Sequence, residues 1–178
     1  MDTAGGGWIV FQRRVDASVT FNRTFYEYET GFGNLTGNLW LGLHSLYMLT
    51  RQNATLRVDM MTARNFRFYA EYSHFYIDPV PLYTVHCQGY SGTAGNTLND
   101  YPGSNRAHFD GMAFITPDNN RGSICPNFYA AGWWYDRCYS ANLNGVYRNP
   151  GDNDMNSIIW YNQLVFEGSL KFVEMKLR

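Results

Sequence analysis

Residues Cys125 to Tyr147 read CPNFYAAGWWYDRCYSANLNGVY, and this stretch carries the most specific pattern in the chain. Its two cysteines, Cys125 and Cys138, enclose a Gly-Trp-Trp sequence, and Ser-Ala-Asn-Leu-Asn-Gly follows the second cysteine. Asn and Gly in such a run are typical of tight turns, so we expect Asn142 and Asn144 to satisfy backbone groups there and Gly145 to adopt a positive φ. Large aromatic side chains are typical of a dense core or a recognition surface. We interpret Trp133 and Trp134 as core residues.

The stretch resembles the C-terminal signature of fibrinogen-related domains, the family of fibrinogen chains, ficolins, tachylectins and angiopoietins. The block from Gly6 to Thr50 is similar to the family's opening block. The sequences TLRVDM, YAEYSHFYI, GYSGTAGNTL, HFDGMAF and SLKFVEMKLR then follow in the family's order. The resemblance therefore covers nearly all of the chain and implies the fibrinogen C-terminal-like fold.

Hydrophobic alternation predicts strands at Trp8–Arg13, Thr55–Met61, Phe66–Ile77 and Leu170–Leu177. A short helix is predicted at Phe25–Thr30, with Asn22 or Thr24 as its cap and Gly31 at its end, and another at Ser45–Gln52. From position 88 onwards, regular patterns give way to segments rich in Gly, Asn, Asp, Ser and Pro. The predicted fold class is α+β: an antiparallel sheet with short helices, then a loop-rich C-terminal recognition region.

Length and composition limit the number of domains and the classes of partner that the chain can have. Its 178 residues predict one domain, residues 1–178, without the N-terminal subdomain that usually precedes the Gly-Gly-Trp block in the family. We expect a fragment of a longer chain, with a natural short form as the alternative. The net charge of −1 gives no electrostatic reason to expect nucleic acid as a partner. No apolar run approaches the ~20 residues that a membrane span needs.

The three cysteines are an odd number. The resemblance implies a disulfide between Cys125 and Cys138, which leaves Cys87. The alternating sequence around Cys87 predicts a strand and favours a buried free thiol. A nucleophilic pair with His86 is not expected, because neighbours on a strand point to opposite faces.

Asn-x-Ser/Thr sequons, the acceptors of N-linked glycans, occur at Asn22, Asn34 and Asn53. Three sequons together with the implied disulfide favour a secreted, extracellular protein. Proteins related in this way often gain avidity by clustering several domains. Homo-oligomer formation through segments outside this sequence is therefore a further expectation.

A metal loop is implied by the resemblance at positions 116–124. Family members commonly carry an Asp-x-Asp calcium loop here, which backbone carbonyls complete. Asp118 matches the first carboxylate, whereas Asn120 replaces the second, and the loop is one residue shorter than usual. Calcium needs six to eight oxygen ligands, and carboxylates set much of its affinity. We therefore expect calcium binding that is weak or absent, and the segment is either a weakened site or an ordinary Asx turn.

A ligand pocket beside the disulfide is implied by the lectin-like members, where it receives an acetyl group. Tyr129 and Phe166 match the aromatic walls of that pocket. Cys138 matches the residue whose backbone amide can donate to the acetyl oxygen. A small apolar slot with a few directed donors suits N-acetyl sugars. The alternative is that Tyr129 and Phe166 belong to the core.

The chain departs from the lectin pattern at three pocket positions. Tyr139 stands where the lectins usually place His, Asp154 stands where an aromatic is common, and Met155 replaces a small or acidic residue. We expect the carboxylate of Asp154 to disfavour a neutral acetyl group and to favour ligands with positive charge.

The leading functional prediction is a recognition module for glycans or microbial surface polymers, as in innate-immune lectins. The alternative is a protein-binding module in signalling, adhesion or matrix assembly. An enzyme is not expected: the sequence around Ser91 lacks the second glycine of a Gly-x-Ser-x-Gly elbow, because Thr93 occupies that position.

Overall fold

The computed structural model describes residues 5–99, 108–161 and 168–178. In chain order, the described elements are β1 (Ile9–Arg14), α1 (Phe25–Thr30), β2 (Phe32–Gly33), β3 (Leu39–Trp40), α2 (Leu43–Thr50), β4 (Ala54–Met61), β5 (Arg67–Ile77), β6 (Val85–Gly92), α3 (Cys125–Tyr129), β7 (Ala141–Asn142), β8 (Ile159–Trp160) and β9 (Phe172–Leu177). Seven strands form one antiparallel sheet in the order β2-β3-β1-β9-β4-β5-β6, and β7 pairs with β8. The predicted α+β architecture is confirmed.

The last strand, β9, lies in the middle of the sheet. It pairs with β1 on one side and with β4 on the other, so that Leu177 is opposite both Ile9 and Leu56. Val173, Met175 and Leu177 alternate along it and are buried. This alternation is the pattern that predicted the strand from the sequence.

Helix α1 has the bounds that its capping residues predict. The Thr24 hydroxyl accepts a hydrogen bond from the Glu27 backbone N–H, and the Glu27 carboxylate accepts one from the Thr24 backbone N–H. This reciprocal pair is a capping box. The helix ends at Gly31, whose φ of 98° is unfavourable for residues with a side chain.

Helix α2 begins two residues earlier than predicted. The prediction placed it at Ser45–Gln52, whereas the structure places it at Leu43–Thr50. Gly42, with a φ of 107°, precedes the first turn and provides no capping side chain. The usual polar start signal is therefore missing from the sequence. For helix α3 and the short strands β7 and β8, the sequence analysis made no prediction.

Aromatic side chains fill the core between the sheet and the loop-rich half. Trp133 and Trp134 are each 1% exposed, so their interpretation as core residues is confirmed. Trp134 packs edge-to-face on Phe114, with ring centroids 4.9 Å apart. Its indole N–H donates to the Tyr83 carbonyl at 2.8 Å. Since a buried indole N–H needs a partner, this bond helps to fix the tryptophan's orientation.

Two buried polar side chains of β1 hold the turn that follows the disulfide. The Gln12 amide donates to the Leu143 carbonyl at 2.8 Å, and the Arg14 guanidinium donates to the Gly145 carbonyl at 2.6 Å. The Asn144 side chain donates to the Gly132 carbonyl at 2.9 Å, as its expected role in satisfying backbone groups requires. The sheet thus positions the irregular segment directly.

Gly145 is needed for a different reason than predicted. The sequence suggests a positive φ at this position, but Gly145 is not among the residues with positive φ. Instead, a Cβ atom there would lie 2.2 Å from the Ser157 carbonyl oxygen. Close approach of two backbone segments is a second established reason for glycine.

Candidate functional site

The disulfide joins the beginning of α3 to the loop that follows the paired tryptophans. Cys125 and Cys138 are bonded, with their Cα atoms 5.4 Å apart. Cys125 is the first residue of α3, and Tyr129 is the last. Both Ala130, which follows the helix, and Cys138 have positive φ angles, of 52° and 44°. The backbone therefore turns sharply directly after α3 and again at the second cysteine of the disulfide.

Tyr129 and Tyr139 lie next to each other at this junction. Their ring centroids are 4.7 Å apart and their planes meet at 77°, an edge-to-face arrangement that aromatic pairs favour. The Tyr139 hydroxyl donates to the Met155 carbonyl, which ties the disulfide loop to the next irregular segment. Burial raises the pKa of Tyr139, and the nearby Tyr129 and Asp154 raise it further. Tyr139 therefore remains a neutral hydrogen-bonding group at physiological pH.

These side chains border a pocket with a volume of about 220 Å³. We call it the disulfide pocket; its lining consists of Tyr129, Arg137, Cys138, Tyr139, Asn153, Met155, Ile159, Tyr161 and Gly168. Among the predicted site residues, the structure brings Tyr129, Cys138, Tyr139 and Met155 together in this lining. Burial raises the pKa of Tyr129, as expected for a phenol with one face against the core. Tyr129 thus packs against the core and also lines the pocket, and its role as a wall for a ligand stays a prediction.

Several lining residues were missed by sequence reasoning. Arg137 directly precedes Cys138 and is exposed, while Tyr161 directly follows Trp160. In the sequence, the only indication of a pocket role for Arg137 and Tyr161 was that they are adjacent to Cys138 and Trp160. The arrangement provides aromatic and apolar walls, with the cationic Arg137 and the amide of Asn153 as polar groups.

Asp154 does not line the disulfide pocket, contrary to expectation. Its carboxylate forms an ion pair with Arg148 at 3.2 Å, between two side chains that are both 40% exposed or more. Its neighbours Asn153 and Met155 occupy the lining instead. Among the described lining residues the charged one is Arg137, so the expected preference for cationic ligands has no support from the lining and stays a prediction. Phe166, the other predicted wall, lies outside the described residues.

The predicted metal loop is held by hydrogen bonds within the protein. The Asp118 carboxylate accepts from the Phe25 backbone N–H at 2.9 and 3.2 Å and from the Thr116 hydroxyl at 2.7 Å. The Asn120 side-chain oxygen accepts from the Gly122 backbone N–H at 2.9 Å. Asp118 thus connects this loop to the first residue of α1. The bond between Asn120 and Gly122 has the form of an Asx turn.

Comparison with known proteins identifies the family. Residues 1–178 match the model of the C-terminal globular domain of fibrinogen beta and gamma chains. The chain belongs to this fibrinogen C-terminal domain family. Fibrinogen C domain-containing protein 1 from Homo sapiens is 40% identical over 189 residues, which cover 100% of the chain and 39% of that relative. The chain therefore spans about two fifths of that protein's length.

Solved structures show the same fold for this fibrinogen C domain. The fibrinogen-like globe domain of human ANGPTL2 aligns with a TM-score of 0.87 and 34% identity, covering 98% of the chain and 81% of that structure. The lamprey fibrin D-dimer, complexed with the peptide ligand Gly-His-Arg-Pro-amide, aligns with a TM-score of 0.86 and 33% identity. It covers 98% of the chain and 62% of the lamprey chain.

Fibrinogen C domains commonly bind calcium, and weak or absent binding by the loop of this chain stays a prediction. Asp118 is its only carboxylate, and backbone and hydroxyl donors already surround it. Calcium sites usually gather several carboxylate and carbonyl oxygens. Within the described ranges, no three His, Cys, Asp or Glu side chains are grouped to hold a metal.

The fibrinogen C domain family consists of non-catalytic binding domains. Cys87, the remaining cysteine, is a free thiol buried in β6. Burial raises the pKa of this thiol, and Asp110 raises it further. A reactive thiolate is therefore disfavoured.

The sequon asparagines Asn22, Asn34 and Asn53 are all exposed. In the second sequon, the Thr36 hydroxyl donates to the Asn34 side-chain oxygen at 2.9 Å. Glycosylation at the three positions stays a prediction. No helix in the described part of the chain is long and apolar enough to cross a bilayer.

Proposed function

We propose that this fibrinogen C domain is an extracellular recognition module that binds glycans or microbial surface polymers through the disulfide pocket. The observation that carries the proposal is the pocket itself. Tyr129 and Tyr139 form adjoining aromatic walls, and Arg137 and Asn153 add polar groups. Ligand sites of proteins typically combine an apolar cleft with a few placed polar groups.

The dimensions of the pocket suit a small substituent rather than a whole oligosaccharide. A volume of about 220 Å³ lies below the range of about 300–1,000 Å³ for drug-sized ligands. A methyl group can pack against the tyrosine rings and Met155. The carbonyl oxygen of an acetyl group would accept from the Cys138 backbone amide or from Arg137. We therefore favour an acetylated sugar, with the rest of the glycan outside the pocket.

The disulfide beside the pocket supports an extracellular location for the protein. The disulfide between Cys125 and Cys138 indicates an oxidising compartment. A single small pocket binds weakly, so clustering of several copies, or repetition of the sugar along a polymer, would increase the apparent affinity.

A protein-binding role is the second candidate. The lamprey fibrin D-dimer structure contains a peptide ligand, and this relative is 33% identical to the chain. Near the disulfide, Ile124, Phe128 and Met155 are 76%, 59% and 60% exposed. Exposed apolar side chains of this kind are common in protein interfaces. A peptide side chain could use the same walls as an acetyl group.

A glycan array with N-acetylated and non-acetylated forms of each sugar tests the proposal directly. We expect selective binding of acetylated sugars that persists when EDTA is present, since calcium binding by the loop around Asp118 is predicted to be weak or absent. Binding that is equal for acetylated and free amino sugars would contradict the acetyl assignment. Binding to peptide libraries alone would favour the second candidate.

A further inference from the structure

A buried arginine stands apart from the disulfide pocket. Arg14 is the last residue of β1, and it is 1% exposed. Its guanidinium carbon lies 3.8 Å from the centre of the Phe21 ring, so one face of the group stacks on an aromatic. Fully buried charges in proteins are normally paired with an opposite charge.

Arg14 has no such partner among the residues that the structure describes. Its hydrogen bond to the Gly145 carbonyl uses one of five N–H donors. The Nε atom is buried without a hydrogen-bond partner. The carboxylate of Asp16, which influences Arg14 only from a distance, is instead held by Ser18 and Asn38 at 2.5 Å. Burial lowers the pKa of Arg14 to about 10, and the nearby Tyr28, Tyr147 and Asp16 offset this effect only in part.

Arg14 is one of the residues that line a cavity of about 130 Å³. We call it the Arg14 cavity; its wall includes Ala17, Thr20, Asn22, Ala130 and Tyr147. Ala17, Thr20 and Asn22 are exposed, so the cavity opens to the surface on that side. About 10–15 Å³ of such volume is enough for one water molecule. The cavity is therefore large enough for a small polyatomic ion.

We propose that the Arg14 cavity binds a small oxyanion, a carboxylate or sulfate group, that pairs with the buried guanidinium. Planar guanidinium groups bind oxyanions through parallel N–H donors. No carboxylate of the described residues lies within ion-pair distance of Arg14, so an external anion would supply the missing charge. The site is independent of the proposed glycan function, because Arg14 and the cavity wall do not line the disulfide pocket.

Saturation-transfer difference NMR with sodium acetate tests the proposal, with sodium sulfate as a competitor. Tyr129→Ala protein serves as the parent, so that acetate in the disulfide pocket does not contribute. We expect a saturation-transfer signal from the acetate methyl group and a decrease of this signal when sulfate is added. Acetate should also raise the melting temperature by about 2 °C or more at constant ionic strength.

A matched pair of rim variants assigns the signal to the cavity. Ala17→Glu places a carboxylate at the opening and should remove the acetate signal, whereas Ala17→Gln should keep it. Arg14→Met should also remove the signal, provided that its near-ultraviolet circular dichroism remains native. Because Ala17 is exposed, the rim pair stays informative if Arg14→Met does not fold. Equal signals from the Glu and Gln variants, or no signal from the parent, would overturn the proposal.

Discussion

At the scale of single residues, Asp118 connects the predicted metal loop to the start of helix α1. In a calcium loop, this carboxylate would face the ion. Here it accepts hydrogen bonds from the Phe25 backbone N–H and the Thr116 hydroxyl. A negative charge at the start of a helix is favourable, because it satisfies free N–H groups and opposes the helix dipole. Asp118 therefore stabilises the loop against α1.

Replacing Asp118 by Ala should lower the free energy of unfolding by about 1 kcal/mol, because a capping interaction is lost. Urea denaturation with and without calcium measures the change. The loss should be the same in both conditions, and Asp118→Asn should lose less. A submicromolar calcium affinity in calorimetric titration, abolished by Asp118→Ala, would show that the loop is a functional calcium site.

The ion pair of Asp154 could not be predicted from the sequence. Its ion pair with Arg148 depends on how a loop folds back on itself, and no periodicity or spacing encodes that contact. The lining residues Arg137 and Tyr161 were missed for the same physical reason. Irregular segments have no hydrophobic periodicity, so the sequence pattern does not show which of them meet in a pocket. The positions of Tyr129, Cys138 and Tyr139 could be predicted because the family resemblance implies both the disulfide and the pocket beside it.

At the scale of elements, local signals decided which boundaries could be predicted. Helix α1 has the predicted bounds because a capping residue, Thr24, directly precedes it and Gly31 directly follows it. The long strands were predictable from alternation, with ends displaced by one or two residues. Helix α2 was displaced because Gly42 gives no polar start signal. The two-residue strands β7 and β8 are too short to show any period.

The capping box of α1 should make stability depend on pH. Hydrogen bonds from Thr24 and Arg23 hold the pKa of Glu27 below its ordinary value of 4.5. Its stabilising contribution is therefore complete above that value and is lost as the pH falls through the lower, folded-state pKa. Melting temperatures between pH 3 and 6 should decrease less steeply on acidification for Glu27→Gln than for the parent. Identical slopes would show that the capping box does not contribute.

The disulfide loop is the element on which the pocket depends most. The bond spans a sequence separation of 13 residues. Closing a loop of this size stabilises the fold by about 3 kcal/mol in the chain-entropy model. The double variant Cys125→Ala/Cys138→Ala should lose about this much in urea denaturation, and reduction of the parent should cause a similar loss. If both treatments left stability unchanged, the bond would have no structural role.

At the scale of the whole molecule, the fold is built from contacts between distant parts of the chain. The C-terminal strand β9 lies between β1 and β4, and β1 holds the turn at 143–145 through Gln12 and Arg14. The order of the strands was not readable from the sequence, since alternation predicts a strand but not its neighbours. The family resemblance was the one signal that implied the complete arrangement.

Exposure of the sequons gives a prediction for the whole protein made in a secretory host. Asn22, Asn34 and Asn53 are exposed and should carry N-linked glycans. Intact mass spectrometry before and after enzymatic deglycosylation measures how many positions are occupied. Each Asn→Gln variant should remove one glycan. A mass equal to that of the bare polypeptide would contradict both the sequon assignment and the predicted route of secretion.

The central claim, that the disulfide pocket is the ligand site, is tested most directly by the affinity of the best array ligand for Tyr129→Ala. Tyr26→Ala is the matched control, since Tyr26 is 71% exposed on α1 and does not line the pocket. Biolayer interferometry should show an affinity about ten-fold or more below the parent for Tyr129→Ala, a loss of about 1.4 kcal/mol. Tyr26→Ala should bind like the parent, and near-ultraviolet circular dichroism should show that both variants remain folded. Parent-like binding by folded Tyr129→Ala would contradict the account and place recognition on another surface.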